Sequence, residues 1–275
     1  MRAEQQIAKL LILREPRIRP MSICPICGFS PRESFSARYV TAEVCGNPQC
    51  GHIYAESHAV GQGIMRHDFA EEYRLYQRRN HKLISFWLKQ GFINQQSSVL
   101  DVGAGGGHIV RSVRELLPTV KISCVEPDPQ SADALRGQGF EVFTDMMDVR
   151  GSFDCILAIE VLEHVDHPVE LLTRIRQLLT FRGRVFLTTP CGETRRGSRA
   201  TNAYDTKEHI HFFTERSLQL SCEKAGFCEL RLLRISALYP YQSVLMAIKH
   251  EFMERLRDSV YGRRHLTGFI KSGPC

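Results

Sequence analysis

Three groups of residues in this chain have the types and spacing to do chemistry. The first is a pair of carboxylates around a loop almost free of side chains: Asp101-Val-Gly103-Ala-Gly105-Gly-Gly107, with Glu126 closing the next apolar run. An acidic residue two positions before the first glycine repels phosphate and suits a cationic ligand with amine or sulfonium groups. A carboxylate at Glu126 can grip a ribose diol. Hydrogen bonds to a charged group contribute about 1.5–3 kcal/mol each, enough for this pair to orient a ligand. The second group is sulfur: Cys24-Pro-Ile-Cys27 and Cys45-Gly-Asn-Pro-Gln-Cys50, with seventeen residues between the pairs. Together they supply the four soft ligands of a tetrahedral zinc site, with His52 as an alternative to Cys50. Four sulfurs leave no position open for water, so such a zinc is structural. A redox pair at Cys24 and Cys27 is the rival reading, but it predicts no second pair. The third group is imidazole. His164 follows Glu160-Val-Leu-Glu163, and His209 and His211 stand one residue apart. Histidine titrates in the range useful to a general base. His209 and His164 are the candidate catalytic residues, with His211 in reserve.

These residues need a scaffold that brings them to one edge. Val99 to Val102 reads as a short buried strand, Gly103 to Gly107 as a loop, and Ile109, Val110, Val113, Leu116 and Leu117 as the apolar face of a helix. Strand, glycine loop and helix make the first βα turn of a doubly wound sheet, where backbone presses against a nucleotide-like ligand. The dinucleotide spacing G-x-G-x-x-G requires a small residue at position 108, and this chain has His108. Strands and helices then alternate: a strand ending at Glu126, a helix to about Gln138, a strand Glu141–Asp145, a strand Asp154–Ile159, a helix from Pro168 and a strand Arg184–Thr189. That rhythm predicts a parallel sheet with right-handed crossovers. Thr214 caps a helix ending at Gly226, and residues 227–236 form a further strand.

Over roughly residues 85–235 the chain resembles the class I S-adenosylmethionine-dependent methyltransferases. The residues carrying the likeness are Asp101-x-Gly103-x-Gly105-x-Gly107, then Glu126, then Phe153-Asp154 opening a fourth strand, then Glu160-Val-Leu-Glu163-His164-Val. The resemblance implies an α/β fold with a doubly wound, seven-stranded, mostly parallel sheet. It implies S-adenosylmethionine as cofactor, held by Asp101, Gly103, Gly105, Glu126, Pro127 and Glu160. Asp145 would accept from the adenine amino group, and Met146 would pack on the ring. The order of cysteine knuckles, tyrosine-bearing helix and glycine loop resembles zinc-ribbon members of this group. His209-Ile-His211-Phe-Phe-Thr214 resembles the segment of quinone-type and polysaccharide-cluster methyltransferases that faces the transferable methyl. Two histidines one apart point to opposite faces of an extended strand, so at most one addresses the substrate.

The remaining features set bounds. The chain has 275 residues, room for one large domain and a small one. The expected order is a basic arm (1–20), a zinc-ribbon-like domain (21–58), a linker and helix (59–97), the methyltransferase domain (98–236) and a C-terminal helical tail (237–275). Gly61 and Gly63 suit a hinge, and Tyr73 and Tyr76 are placed to lid a cofactor. The start lacks the apolar core of a secretory signal and no run is long enough to span a bilayer, so a cytoplasmic setting is expected. Ten cysteines in that setting are mostly free thiols, Cys124 and Cys155 acting as small core residues. A net charge of +6 permits phosphate-bearing partners without requiring them. The expected activity is methyl transfer to O, C or N of a small acceptor such as a sugar nucleotide, glycan precursor or natural product, by a monomer or homodimer. The alternative is an rRNA or tRNA methyltransferase gripping RNA through the ribbon. Against it, the basic residues are scattered and no base-flipping signature follows Ile159. Arg195, Arg196 and Arg199 in the 190–208 loop are suited to a phosphate or carboxylate. The apolar pattern Val244, Leu245, Ile248, Phe252 and Leu256 is suited to covering the pocket, to dimer contact or to a membrane surface.

Overall fold

The computed structural model describes residues 23–37, 39–55, 69–192, 208–233 and 265–271. The basic arm, the hinge glycines, the three loop arginines and the 244–256 pattern lie outside them. Ser98–Val102 (β4) is buried on both faces from Val99 onward and lies in the interior of the main sheet, as a parallel strand covered from two sides must. Around it run Lys121–Val125 (β5), Glu141–Phe143 (β6), Phe153–Ile159 (β7), Leu179–Pro190 (β8), Leu230–Leu233 (β10) and His265–Lys271 (β11). Their order is β10-β11-β8-β7-β4-β5-β6. The five strands from β8 to β6 are parallel, and β11 is antiparallel to both β8 and β10. The expected seven-stranded, mostly parallel sheet is therefore present.

Helices cover both faces. Phe69–Lys89 (α1) drives Leu83, Ile84 and Trp87 into the core, where Trp87 meets Phe186 edge-on at 4.9 Å. His108–Leu116 (α2) follows the glycine loop. Pro129–Gly137 (α3) starts on Asp128, whose carboxylate accepts from the Ser131 amide. Pro168–Gln177 (α4) and Glu215–Lys224 (α5) complete the set, α5 opening with a capping box between Thr214 and Ser217. Among the described residues no helix is long and apolar enough to cross a membrane.

Four features differ from the sequence reading. Residues 265–271 fall in the stretch expected to be a helical tail, yet they form β11 between β8 and β10. The strand expected over Glu141–Asp145 stops at Phe143, because Asp145 turns back to accept the Met147 amide. The cysteine segment is not a free-standing ribbon. Its strands Pro31–Ser36 (β1), Thr41–Cys45 (β2) and Ile53–Ala55 (β3) share a four-stranded sheet with His211–Phe212 (β9), so one wall comes from the main domain. Lastly, Cys228 is disulfide-bonded, an exception to the expected free thiols. It lies on an exposed turn, whereas Cys124 and Cys155 are fully buried thiols as expected.

Candidate functional site

The glycine loop leaves β4 at the carboxyl edge of the sheet, where open α/β folds bind ligands. The amides of Gly103 and Ala104 donate to the Val125 carbonyl at 2.8 and 3.1 Å, tying the loop to the end of β5. Gly103, Gly105 and Gly107 all have left-handed φ, and they are glycine for different reasons. A Cβ at Gly103 would lie 2.7 Å from Val161, and one at Gly107 would collide with Leu135. A Cβ at Gly105 would meet nothing within 4 Å. Packing closes the loop at its ends, and its middle faces open space that a ligand can enter.

Asp101 is 4 % exposed beneath this loop. Burial, then the nearby Glu126, pushes its carboxyl up to about 8. Glu126 accepts from the Gly105 amide at 2.6 Å and from the Asp128 amide at 2.9 Å, which shapes the loop and orients the carboxylate across Pro127. Asp145 stands beyond the end of β6, half-buried, and Met146 beside it is enclosed in the core. A residue that sequence reasoning missed lies beside His108, the first residue after the loop. Arg79 on α1 packs its guanidinium 4.5 Å from the Tyr76 ring centroid and 3.3 Å from the His108 ring. Burial lowers its pKa, while Tyr76 and Glu160 favour the cation. The Arg78-Arg79 doublet was the available signal, but its helix face could not be assigned without α2. Of the two tyrosines, Tyr76 rests on His108 at 5.1 Å, while Tyr73 is buried against Arg111 at 3.9 Å.

The second half of the site follows β7. Glu160 has φ 55, the one positive value at a non-glycine among the described residues. Such a conformation costs about 1–3 kcal/mol and persists only where neighbours enforce it. Here its amide donates to the Thr188 carbonyl, and the Thr188 hydroxyl donates to its carboxylate at 2.7 Å. Glu163 is wholly buried, and burial followed by Glu160 raises its pKa well above the carboxylate range. Thr189 donates to one of its oxygens at 2.9 Å. The His164 and His209 rings meet edge to face at 4.8 Å. Nδ1 of His164 lies 3.1 Å from the Glu208 carbonyl and must donate to it, leaving Nε2 as the ring's acceptor. Glu163, His164 and His209 bring one ligand atom each within 4.8 Å of one another, a set able to move a proton or hold a cation. His211 is different. It is enclosed, with Nε2 2.8 Å from the Val165 carbonyl and Nδ1 3.1 Å from His52, and burial pushes its pKa down to about 4.

The sulfurs of Cys24, Cys27, Cys45 and Cys50 lie within 4.8 Å of one another, with Cys27 and Cys45 3.3 Å apart and Cys24 and Cys50 3.9 Å apart. Thiolates about 2.3 Å from a tetrahedral ion stand about 3.8 Å apart, so the spacing fits. The Cys50 hydrogen bond holds Cys24 down at about 5, while burial pushes Cys45 up to about 12. His52 does not join them, because its ring nitrogens face His211 and Ser217.

A family model described as a methyltransferase domain matches residues 69–230. The ubiquinone biosynthesis O-methyltransferase of Nitrosococcus oceani is 33% identical over 100 residues, covering 33% of this chain and 42% of that protein. The protein of the same name from Xanthomonas oryzae pv. oryzae is 32% identical with the same coverage. The chain thus spans less than half the length of these curated relatives. Two solved structures share the fold. The plantazolicin methyltransferase BamL superposes with a TM-score of 0.53 at 14% identity, over 75% of this chain and 90% of its own. A SAM-dependent methyltransferase from Archaeoglobus fulgidus gives 0.52 at 14% identity, over 74% and 97%.

Proposed function

The chain belongs to the S-adenosylmethionine-dependent methyltransferase domain family, and on that premise we propose that it moves a methyl group onto an oxygen of a small hydroxylated acceptor. The observation carrying this reading is the placement of two unlike chemistries along one sheet edge. A carboxylate-flanked glycine cradle follows β4 and β5, and a histidine pair follows β7. The names of the curated relatives favour an oxygen acceptor.

S-adenosylmethionine supplies a sulfonium-bound methyl and an excellent leaving group, so the protein's work is alignment. The open middle of the loop at Gly105 would admit the nucleoside, and the Glu126 carboxylate would accept from the hydroxyls of its ribose diol. Asp101 would offer a carboxylate to the cationic end, and the Asp145–Met146 turn would border the base. Arg79, beside His108 at the end of the loop, would offer a partner for the amino-acid carboxylate. Glu160 sits between this cradle and the acceptor side. Holding the reacting atoms in line accounts for about 7–11 kcal/mol in well-oriented systems. His164 Nε2, paired with His209, is placed to take the acceptor's proton, worth about 10²–10⁴-fold. A second arrangement follows from the same trio: a cation held by Glu163, His164 and His209 would acidify a bound hydroxyl instead. The four cysteines would hold a structural zinc.

Calorimetric titration with S-adenosylmethionine and its demethylated product tests the cradle. Both should bind to the wild type, and Asp101→Asn and Glu126→Ala should each weaken binding about 10–100-fold, the size of a lost charged hydrogen bond. Unchanged affinity in both variants would remove the assignment. Methyl incorporation into a panel of phenolic and sugar acceptors, with and without chelator, separates the histidine-base from the cation arrangement.

A further inference from the structure

We propose that His211, steered by His52 of the cysteine segment, is the positioning residue for the turn 160–165, so that the sulfur cluster governs the geometry of the Glu163–His164 end of the site. This rests on the reading of that turn as the acceptor side.

The connection is a single directed chain of hydrogen bonds. The amides of Ile210 and His211 both donate to the Glu163 carbonyl, at 2.9 and 3.2 Å. The His211 ring adds a bond to the Val165 carbonyl at 2.8 Å. Carbonyls on both sides of His164 are therefore held by two consecutive residues. A carbonyl only accepts, so His211 Nε2 carries the proton and its Nδ1 is an acceptor. His52 Nε2, 3.1 Å away, must then donate, which leaves His52 Nδ1 as an acceptor facing the Ser217 hydroxyl at 3.2 Å. Both ring protons in the series His52, His211, Val165 therefore have one allowed place, while the Ser217 hydroxyl lies within 3.2 Å of both His52 Nδ1 and the Thr214 carbonyl.

His52 is locked to the cysteines by more than sequence proximity. Its carbonyl accepts from the Cys45 amide at 2.8 Å, and Thr214 reaches the Cys50 carbonyl at 3.4 Å. Strand β3 pairs Tyr54 with His211. The His52 ring also packs against Phe213 at 5.0 Å. An apolar pair would fill the same volume. Two imidazoles add direction, because a displaced ring leaves a buried donor or acceptor unpaired.

Hydrogen exchange read by mass spectrometry tests this in the full chain. Stripping the metal with a thiol reagent and chelator should raise amide exchange in 160–166 at least tenfold, with 98–126 changed less than twofold. His211→Phe and His52→Phe should each raise it similarly in the metal-loaded chain, the double variant no more than either single one. His211→Gln, which can still donate to Val165 and accept from His52, should stay within about threefold of wild type. S-adenosylmethionine affinity of the phenylalanine variants should remain within twofold. Unchanged exchange at 160–166 in the stripped wild type overturns the proposal, as does an equal rise across 98–126. Loss of binding in no variant, Asp101→Asn included, would instead indict the cofactor cradle and leave the exchange result standing.

Discussion

Asp101 keeps its proton in the ligand-free chain far above the ordinary carboxylate value of 3.8, because it is buried and faces Glu126. The unfolded chain loses that proton near pH 4 and the folded chain near pH 8. Between those values the folded state holds more protons, so the ligand-free protein loses stability as pH rises through this window, and the loss levels off above about 8. A cationic ligand favours the ionised carboxylate. S-adenosylmethionine affinity should therefore rise with pH up to about 8, by at most about tenfold per unit. Calorimetry in buffers of different ionisation heat should show proton release at pH 6 to 7. Asp101→Asn should flatten both the affinity and the stability profiles. On the acceptor side, His164→Ala or His209→Ala should lower turnover about 10²–10⁴-fold while cofactor affinity stays within about twofold. Asp101, Glu126 and the three glycines were legible in sequence because their spacing is local. Arg79 and the His52–His211 pair were not, because each acquires meaning only from a partner far along the chain; His52 and His211 are 159 residues apart.

Among the elements, the glycine loop separates what packing requires from what a ligand requires. Gly107→Ala must adopt left-handed φ and displace Leu135, so it should cost about 2–4 kcal/mol of stability, read from the denaturant midpoint. Gly105→Ala meets open space and should cost only the backbone penalty, about 1–2 kcal/mol, yet lose cofactor binding. Comparable losses of stability in the two would show that the loop's middle is as closed as its end. The alternation that predicted β4 to β8 worked because parallel strands buried on two faces are apolar runs bounded by glycine, proline and charge. Strand β9 is two residues long and β11 is reached from outside the alternating pattern. Both are held in place by pairing, β9 with β3 and β11 with β8 and β10.

For the whole molecule, the shared sheet of β1, β2, β3 and β9 makes the cysteine segment part of the catalytic body rather than an appendage. Metal analysis should find about one zinc per chain, absent from a Cys24→Ser/Cys27→Ser variant. Zinc in small cysteine-rich peptides contributes about 10–16 kcal/mol of apparent binding energy. Here its removal should lower one cooperative thermal transition by many degrees. Two separate transitions, with the upper one unmoved, would show that the segment folds independently.

The position of β11 also constrains how the molecule is made. Synthesis delivers β8 and β10 before the strand that must lie between them, so a nascent chain exposes two open strand edges until residue 271 has emerged. A transcript stopped at codon 264 would not yield a smaller enzyme. It would yield a protein with an unfilled seam, the kind of surface that recruits chaperones or other copies of itself.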